Sequence, residues 1–213
     1  FFSDGTNTLF DQSTFNKGDF TNQNFRGGID YYFAKKHSVS AIIRGNFNKN
    51  YDRTTSTTLI KNTSEIVDSS YITDNVNNSK WNSLTGTFNY QFKIDSLGKE
   101  LTADFDRAKY DNGNNFVFLT NYYDAANSLV KTEYATNDQP ATIDITSIKA
   151  DYTQPLKKTM KLEAGLKSSY VTTDNDVKYV NYYAGEAVID TGKTNHFNYK
   201  ENINAAYINW KAE

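Results

Sequence analysis

Long runs of two-residue alternation constrain this chain more than any other feature. In "LTGTFNYQFKI", Leu84, Gly86, Phe88, Tyr90, Phe92 and Ile94 alternate with Thr85, Thr87, Asn89, Gln91 and Lys93. Successive side chains of a β-strand point to opposite faces, so this segment has one apolar and one polar face as a strand and neither as a helix. The stretch "GIDYYFAKKHSVSAIIRGNF" repeats the pattern on both sides of a polar turn, with Ile29, Tyr31 and Phe33 answered by Val39, Ala41, Ile43 and Phe47. "ELTADFD", "SIKADYT" and "TMKLEAGLKSSY" continue it. No comparable stretch has helical periodicity, and the fold class expected is all-β and antiparallel.

Three short polar turns, "AKKHS" at 34–38, "DSLGK" at 95–99 and "QPLKK" at 154–158, recur about sixty residues apart. Between them the chain runs along one strand, crosses a long segment rich in Asn, Thr, Asp and Tyr, and returns along the next. The strands expected are 24–34, 39–52, 80–94, 100–111, 142–153, 159–172 and 197–212, seven in all. The long connections are 53–80, 112–141 and 173–195, and residues 1–20 read as loop. "FVFLTNYY" at 116–123 alternates and continues a strand.

Strict alternation of short and long connections separates two ways of wetting such strands. Compact soluble sheets join their strands by short loops at both ends. Outer-membrane barrels have short periplasmic turns and long outer loops, with dyad-repeat segments of about ten residues between them. The charges follow the second pattern. Asp30, Arg44, Asp104, Lys149, Lys161, Glu163 and Lys167 all fall on the polar side of their strands, where a dry core would not hold them and a wet lumen would. Near the short turns, Tyr31, Phe33, Tyr90, Phe92, Tyr152 and Trp210 would form an inner aromatic girdle. Phe47, Tyr51, Trp81, Tyr170, Phe197 and Tyr199 would form an outer one. The whole chain is expected to be a single segment of one transmembrane β-barrel, in contact with outer-membrane lipid. The competing reading is a soluble or surface-exposed β-sheet domain that binds carbohydrate or acts as an adhesin, since any antiparallel sheet covered on one side shows the same alternation.

Composition narrows the chemistry. The 213 residues carry 23 Lys and Arg against 25 Asp and Glu, scattered singly, so nucleic acid is not an expected partner. A mean hydropathy of -0.71 together with 15% aromatic residues separates the chain from disordered segments of equal polarity. There is no Cys, hence no disulfide frame and no thiolate metal site. His37 in a turn and His196 at the mouth of a strand share no face with a second ligand or a nucleophile, and both read as solvated. No enzyme activity and no cofactor are expected. "DNGNN" at 111–115 and "TDND" at 173–176 lack calcium-loop spacing and read as polar turns. Tyrosines in "TNYYD" and "KYVNYYAGE" make Tyr122, Tyr123, Tyr182 and Tyr183 the candidate contacts for a small polar ligand, by stacking and hydrogen bonding.

The run "YKENINAAYINW", its "TNHFN" approach and the recurring hairpins resemble the outer-membrane barrel portion of TonB-dependent receptor-like proteins of Gram-negative bacteria. The resemblance spans nearly the whole chain. It implies a role in TonB-dependent uptake of a nutrient ligand, with the TonB complex as a partner through a plug domain not present in these residues. The seven strands counted are an odd number, "KAE" carries no terminal aromatic, and no signal peptide or plug is visible. The expectation is therefore an interior slice of a larger barrel.

Overall fold

The computed structural model describes residues 8–157 and 160–212. The chain forms β1 (Leu9–Phe33), β2 (His37–Lys61), β3 (Val67–Lys93), β4 (Glu100–Asp124), β5 (Leu129–Lys157), β6 (Met160–Tyr183), β7 (Glu186–Ile189) and β8 (Asn195–Ala212). All belong to one antiparallel sheet in the order β1 to β7, with β8 also pairing β6. β7 pairs the distal end of β6 and β8 the remainder, so the two share one ladder position, interrupted at 190–194. The seven strands expected correspond to these seven positions.

The strands are far longer than the alternating segments suggested. β2 has 25 residues and β5 has 29, or ~80 Å and more at about 3.3 Å per residue. The segments expected as long connections are strand extensions closed by tight turns, and residues 9–20, expected as loop, pair throughout with β2. The reason lies in the wetting. "NKNYDRTTSTT" in β2 and "DQSTFNKGD" in β1 are polar on both faces, so they form ladders without the apolar alternation that marks a half-buried strand.

Turn chemistry recurs at the tight connections. Asn62 Oδ1 accepts the amides of Ser64 and Ile66 at 3.0 and 3.1 Å. Asp95 Oδ1 accepts those of Leu97 and Lys99 at 2.8 and 3.0 Å, and Asp124 Oδ1 those of Ala126 and Ser128 at 2.9 and 2.8 Å. Three residues after each of these side chains stands a left-handed residue: Glu65 (φ 60°), Gly98 (φ 96°) and Asn127 (φ 60°). The short Asx side chain replaces a backbone acceptor, and the left-handed residue reverses the chain. Ala184 and Gly185, with φ of 51° and 87°, form the two-residue turn into β7. In "QPLKK", residues 154–157 belong to β5, and 158 and 159 lie outside the described residues. Pro140 stands inside β5, where the ladder to β6 skips 139 and 140; a residue with no N–H to donate sits at a gap in the pairing.

The burial pattern is inverted relative to a soluble protein. Buried polar residues include Asn48, Thr58, Ser147 and Ser169, whereas Ile29, Ile148, Leu166 and Ile208 are 57 to 78% exposed. Register explains the difference. Ile29, Ala41, Phe88, Phe105 and Ile148 occupy one cross-strand row on one face, and Ser147 and Ser169 pair on the other. The polar face is the sheltered one and the apolar face is open, with no second layer packed on it among the described residues. That is the arrangement of a sheet whose apolar side is meant for lipid.

Three of the expected outer-girdle residues fall on the wrong side. Trp81 pairs with Asn48, Phe197 with Asn175 and Tyr199 with Thr173, all on the sheltered face. Trp81 lies three residues before Leu84, an odd step that reverses the face. Phe47, Tyr51 and Tyr170 are on the open face. The six inner-girdle residues also lie there, around an aromatic cluster. Tyr31 stacks on Phe33 at 5.8 Å, Phe33 on His37 at 5.2 Å, and His37 on Phe92 at 4.3 Å. His37 is therefore the first residue of β2, half-buried between aromatic rings and bonded through Nδ1 to the Tyr90 hydroxyl at 2.8 Å, in place of a solvated turn histidine.

Candidate functional site

The sheltered face is built from three zones that follow from strand register. The first, nearest the aromatic rim, is a band of charge. Asp104 pairs directly with Lys149, and Lys149 with Lys167; Asp30, Arg44, Lys161 and Glu163 share this face. All seven charged candidates thus stand on one side of the sheet. Lys161 and Lys211 reach Glu163 at 2.6 and 3.6 Å, and Asn209 donates to it at 3.1 Å. Lys149 pairs with Asp151, whose Oδ1 accepts the Tyr207 hydroxyl at 2.7 Å. Asn89 donates to Asp104 and Thr87 to Asp106. Arg44 stands opposite Arg26, and neither forms an ion pair among the described residues. Charges of both signs, tied by amides and hydroxyls, make a wettable wall.

A second zone, of asparagine amides, lies farther along β1 to β4. The third is at the distal end, where Tyr122 is central. Its ring lies 5.8 Å from that of Tyr71, its hydroxyl donates to Glu133 at 2.9 Å, and the Lys131 ammonium bonds Glu133 at 2.5 Å and sits 5.8 Å over the Tyr122 ring. The hydrogen bond to Glu133 raises the phenol pKa above its ordinary value. Glu133 is held below the usual carboxylate range, first by Lys131 and then by Tyr122, and Lys131 is raised by its bond to Glu133. Such a cluster presents an aromatic plane, a fixed cation and a fixed anion to solvent.

The four tyrosine candidates divide. Tyr122 and Tyr183 face the sheltered side; Tyr123 and Tyr182 face the other, where Tyr182 packs against Tyr134 at 4.8 Å. Adjacent residues on a strand cannot serve one ligand from one face. Sequence reasoning missed Tyr71, Lys131 and Glu133, which converge only through register. The alternation of Asn46, Asn48 and Asn50 in "NFNKN" was the available sign of the amide zone. The two segments expected as polar turns, 111–115 and 173–176, lie inside β4 and β6. His196 meets Asp174 at 2.9 Å on the open face, and this contact, ahead of Asn198, lowers the Asp174 pKa.

No helix among the described residues is long and apolar enough to cross a membrane. None of the curated proteins compared matches the chain. A family model does, over residues 92–213, more than half of the sequence, from the end of β3 through β8. Its description, "Outer membrane protein beta-barrel family", agrees with the inverted burial, the aromatic rim and the meander order, and the protein's place is the outer membrane. The chain belongs to the outer membrane protein beta-barrel family.

Proposed function

We propose that this chain is part of the barrel of an outer-membrane receptor or transporter of a Gram-negative bacterium, and that it serves TonB-dependent uptake of a nutrient ligand. The observation that carries the reading is the inversion of the sheet. Apolar side chains such as Leu166 and Ile208 are 65 and 78% exposed, while the charged band from Asp30 to Lys167 shares the sheltered face. Lipid on the first face and a wet channel on the second satisfy both. The competing soluble domain would need a covering layer over Leu166.

Two features favour a large barrel over a small one. Among the described residues β1 pairs only β2, and β8 pairs only β6, so both margins offer unpaired backbone groups that hydrocarbon does not tolerate. Further strands must close the wall. The strands also rise well past the ~25 Å lipid band, giving an outer vestibule in which a ligand meets Tyr122 and its neighbours before the charged band. Energy would come through a plug domain carried outside these residues. Two measurements test the reading: heat-modifiable mobility of the full-length protein in detergent gels, and nutrient uptake by cells with and without the TonB complex. Detergent-free, monomeric solubility would overturn the barrel role; uptake independent of TonB would overturn the energised one.

A further inference from the structure

The chain has four arginines, two on each face of the sheet. Arg53 and Arg107, on the open face, are each held by a carboxylate, Asp74 at 3.5 Å and Asp144 at 2.7 Å. Arg26 and Arg44, on the sheltered face, stand directly opposite one another on β1 and β2. Neither guanidinium makes an ion pair or a side-chain hydrogen bond among the described residues.

Like charges directly opposite on neighbouring strands destabilise a sheet, and the register supplies no remedy here. Thr85 faces Arg44 from β3, Asn24 and Asn46 form the row on one side of the pair, and Gly28 and Ile42 the row on the other. All are neutral. Of the nearest carboxylates on this face, Asp30 is two rows away along β1, and Asp106 lies beyond Thr87, whose hydroxyl donates to it at 2.8 Å. Asn46 adds a donor. Its Oδ1 accepts the Asn48 Nδ2 at 2.8 Å, which leaves its own N–H group without an acceptor among the described residues.

We propose that Arg26 and Arg44 together bind the oxyanion of a small solute, a carboxylate or a phosphate. The inference rests on the sheltered face being the channel wall, and it gives the channel's substrate class. A guanidinium is a planar fork of N–H donors that matches two oxygens of a carboxylate or phosphate. Forks from two adjacent strands hold one anion between them, and the anion cancels their repulsion. A neutral solute leaves the pair uncompensated, and a cationic one adds to the repulsion. Both residues are exposed, so a solute in the channel reaches them directly.

The test is calorimetric titration of the full-length protein in neutral detergent at low salt with succinate and with glycerol 3-phosphate, and with glycerol as the neutral probe. Binding of at least one anion is expected, about tenfold or more weaker in Arg44→Gln and in Arg26→Gln and unchanged in Arg53→Gln on the open face. Succinate alone identifies a carboxylate site and glycerol 3-phosphate alone a phosphate site. Arg44→Lys, which keeps the charge and loses the fork, serves where a glutamine variant fails to keep heat-modifiable mobility, and it too should bind more weakly. A heat-modifiable wild-type protein that binds neither anion overturns the site while the barrel stands, and this includes the case in which a carboxylate from the strand beside β1 already holds Arg26. Binding of glycerol as tight as that of the anions, anion binding untouched by all the Arg26 and Arg44 variants, or an equal loss in Arg53→Gln overturns it as well. Loss of heat-modifiable mobility in the wild type overturns the barrel reading and the site with it.

Discussion

His37 lies flat against Phe92, with ring centroids 4.3 Å apart and planes 4° from parallel. The contact joins the first residue of β2 to its cross-strand partner near the end of β3, and the Tyr90 hydroxyl fixes the imidazole from the side at 2.8 Å. An aromatic pair contributes ~0.5–1.5 kcal/mol beyond area burial, and rings at this depth also suit the membrane interface. His37→Ala should therefore lower stability by ~1 kcal/mol, read as a shift of the guanidinium midpoint in lipid vesicles. His37→Phe, which keeps the stack and loses the hydroxyl contact, should recover most of it.

Adjacent residues on β6 should respond oppositely to charge. Leu166 is 65% exposed on the open face, and Lys167 pairs with Lys149 on the sheltered one. Leu166→Arg should cost ~2–4 kcal/mol if the site is near the bilayer midplane, falling toward ~1 kcal/mol near the interface. Lys167→Gln should be close to neutral. Reversible unfolding of both variants in vesicles checks the assignment of faces, and equal costs would refute it.

How far the fold could be read from the residues depended on which strand segments were wetted on one face only. Leu84 to Ile94 announced itself because lipid and water lie on opposite sides. Thr54 to Thr58 and Asn16 to Gln23 did not, because both of their faces are largely polar and no apolar alternation marks them. The charged residues from Asp30 to Lys167 sit within alternating segments and could be placed by parity alone. The Tyr122 cluster could not, since Tyr71 on β3 and Lys131 and Glu133 on β5 meet Tyr122 on β4 only through a register that depends on the turns at 62–66 and 125–128. Trp81 shows the same dependence: one misjudged step of parity moved it from the sheltered face to the open one.

The turn at 62–66 holds Glu65 with φ 60°, where the equivalent positions of the two matching turns are Gly98 and Asn127. A left-handed conformation costs an ordinary residue ~1–2 kcal/mol. Glu65→Gly should recover part of this, about 0.5–1 kcal/mol net after the added flexibility of the unfolded chain. Glu65→Asn should act in the same direction. Slower hydrogen exchange of the flanking β2 and β3 amides would register the gain; a faster rate in both variants would contradict the turn geometry.

Asp95 supplies a pH dependence at the rim turn. The Lys99 amide, first among its contacts, and then the Leu97 amide hold its carboxyl below the ordinary value. A carboxylate depressed in the folded state contributes stability above its unfolded pKa of ~3.9, and the contribution is lost as pH falls through the lower folded value. The turn should stay ordered through neutral pH and open on strong acidification. Asp95→Asn keeps an acceptor oxygen without the charge and should remove this acid limb, observed as amide shifts of Leu97 and Lys99 that no longer move with pH.

At the distal end the signs run both ways. Glu133, lowered chiefly by Lys131, contributes above its unfolded pKa of ~4.3 and loses its effect as pH falls. Lys131, raised chiefly by Glu133, contributes fully below its unfolded pKa of ~10.4 and loses its effect as pH rises through the higher folded value. The cluster should therefore be ordered across the whole neutral range. Its marker is Tyr122, whose phenol is raised because its hydroxyl donates to Glu133. Glu133→Gln removes the anion and should bring the Tyr122 titration downward toward its ordinary value, followed through the ring carbon shifts of a selectively labelled tyrosine. Lys131→Gln should move it upward, because the nearby cation is the one contact that favours the phenolate. If both variants shift Tyr122 in the same direction, the hydroxyl is not bonded to Glu133 and the aromatic plane at the vestibule mouth is free to turn.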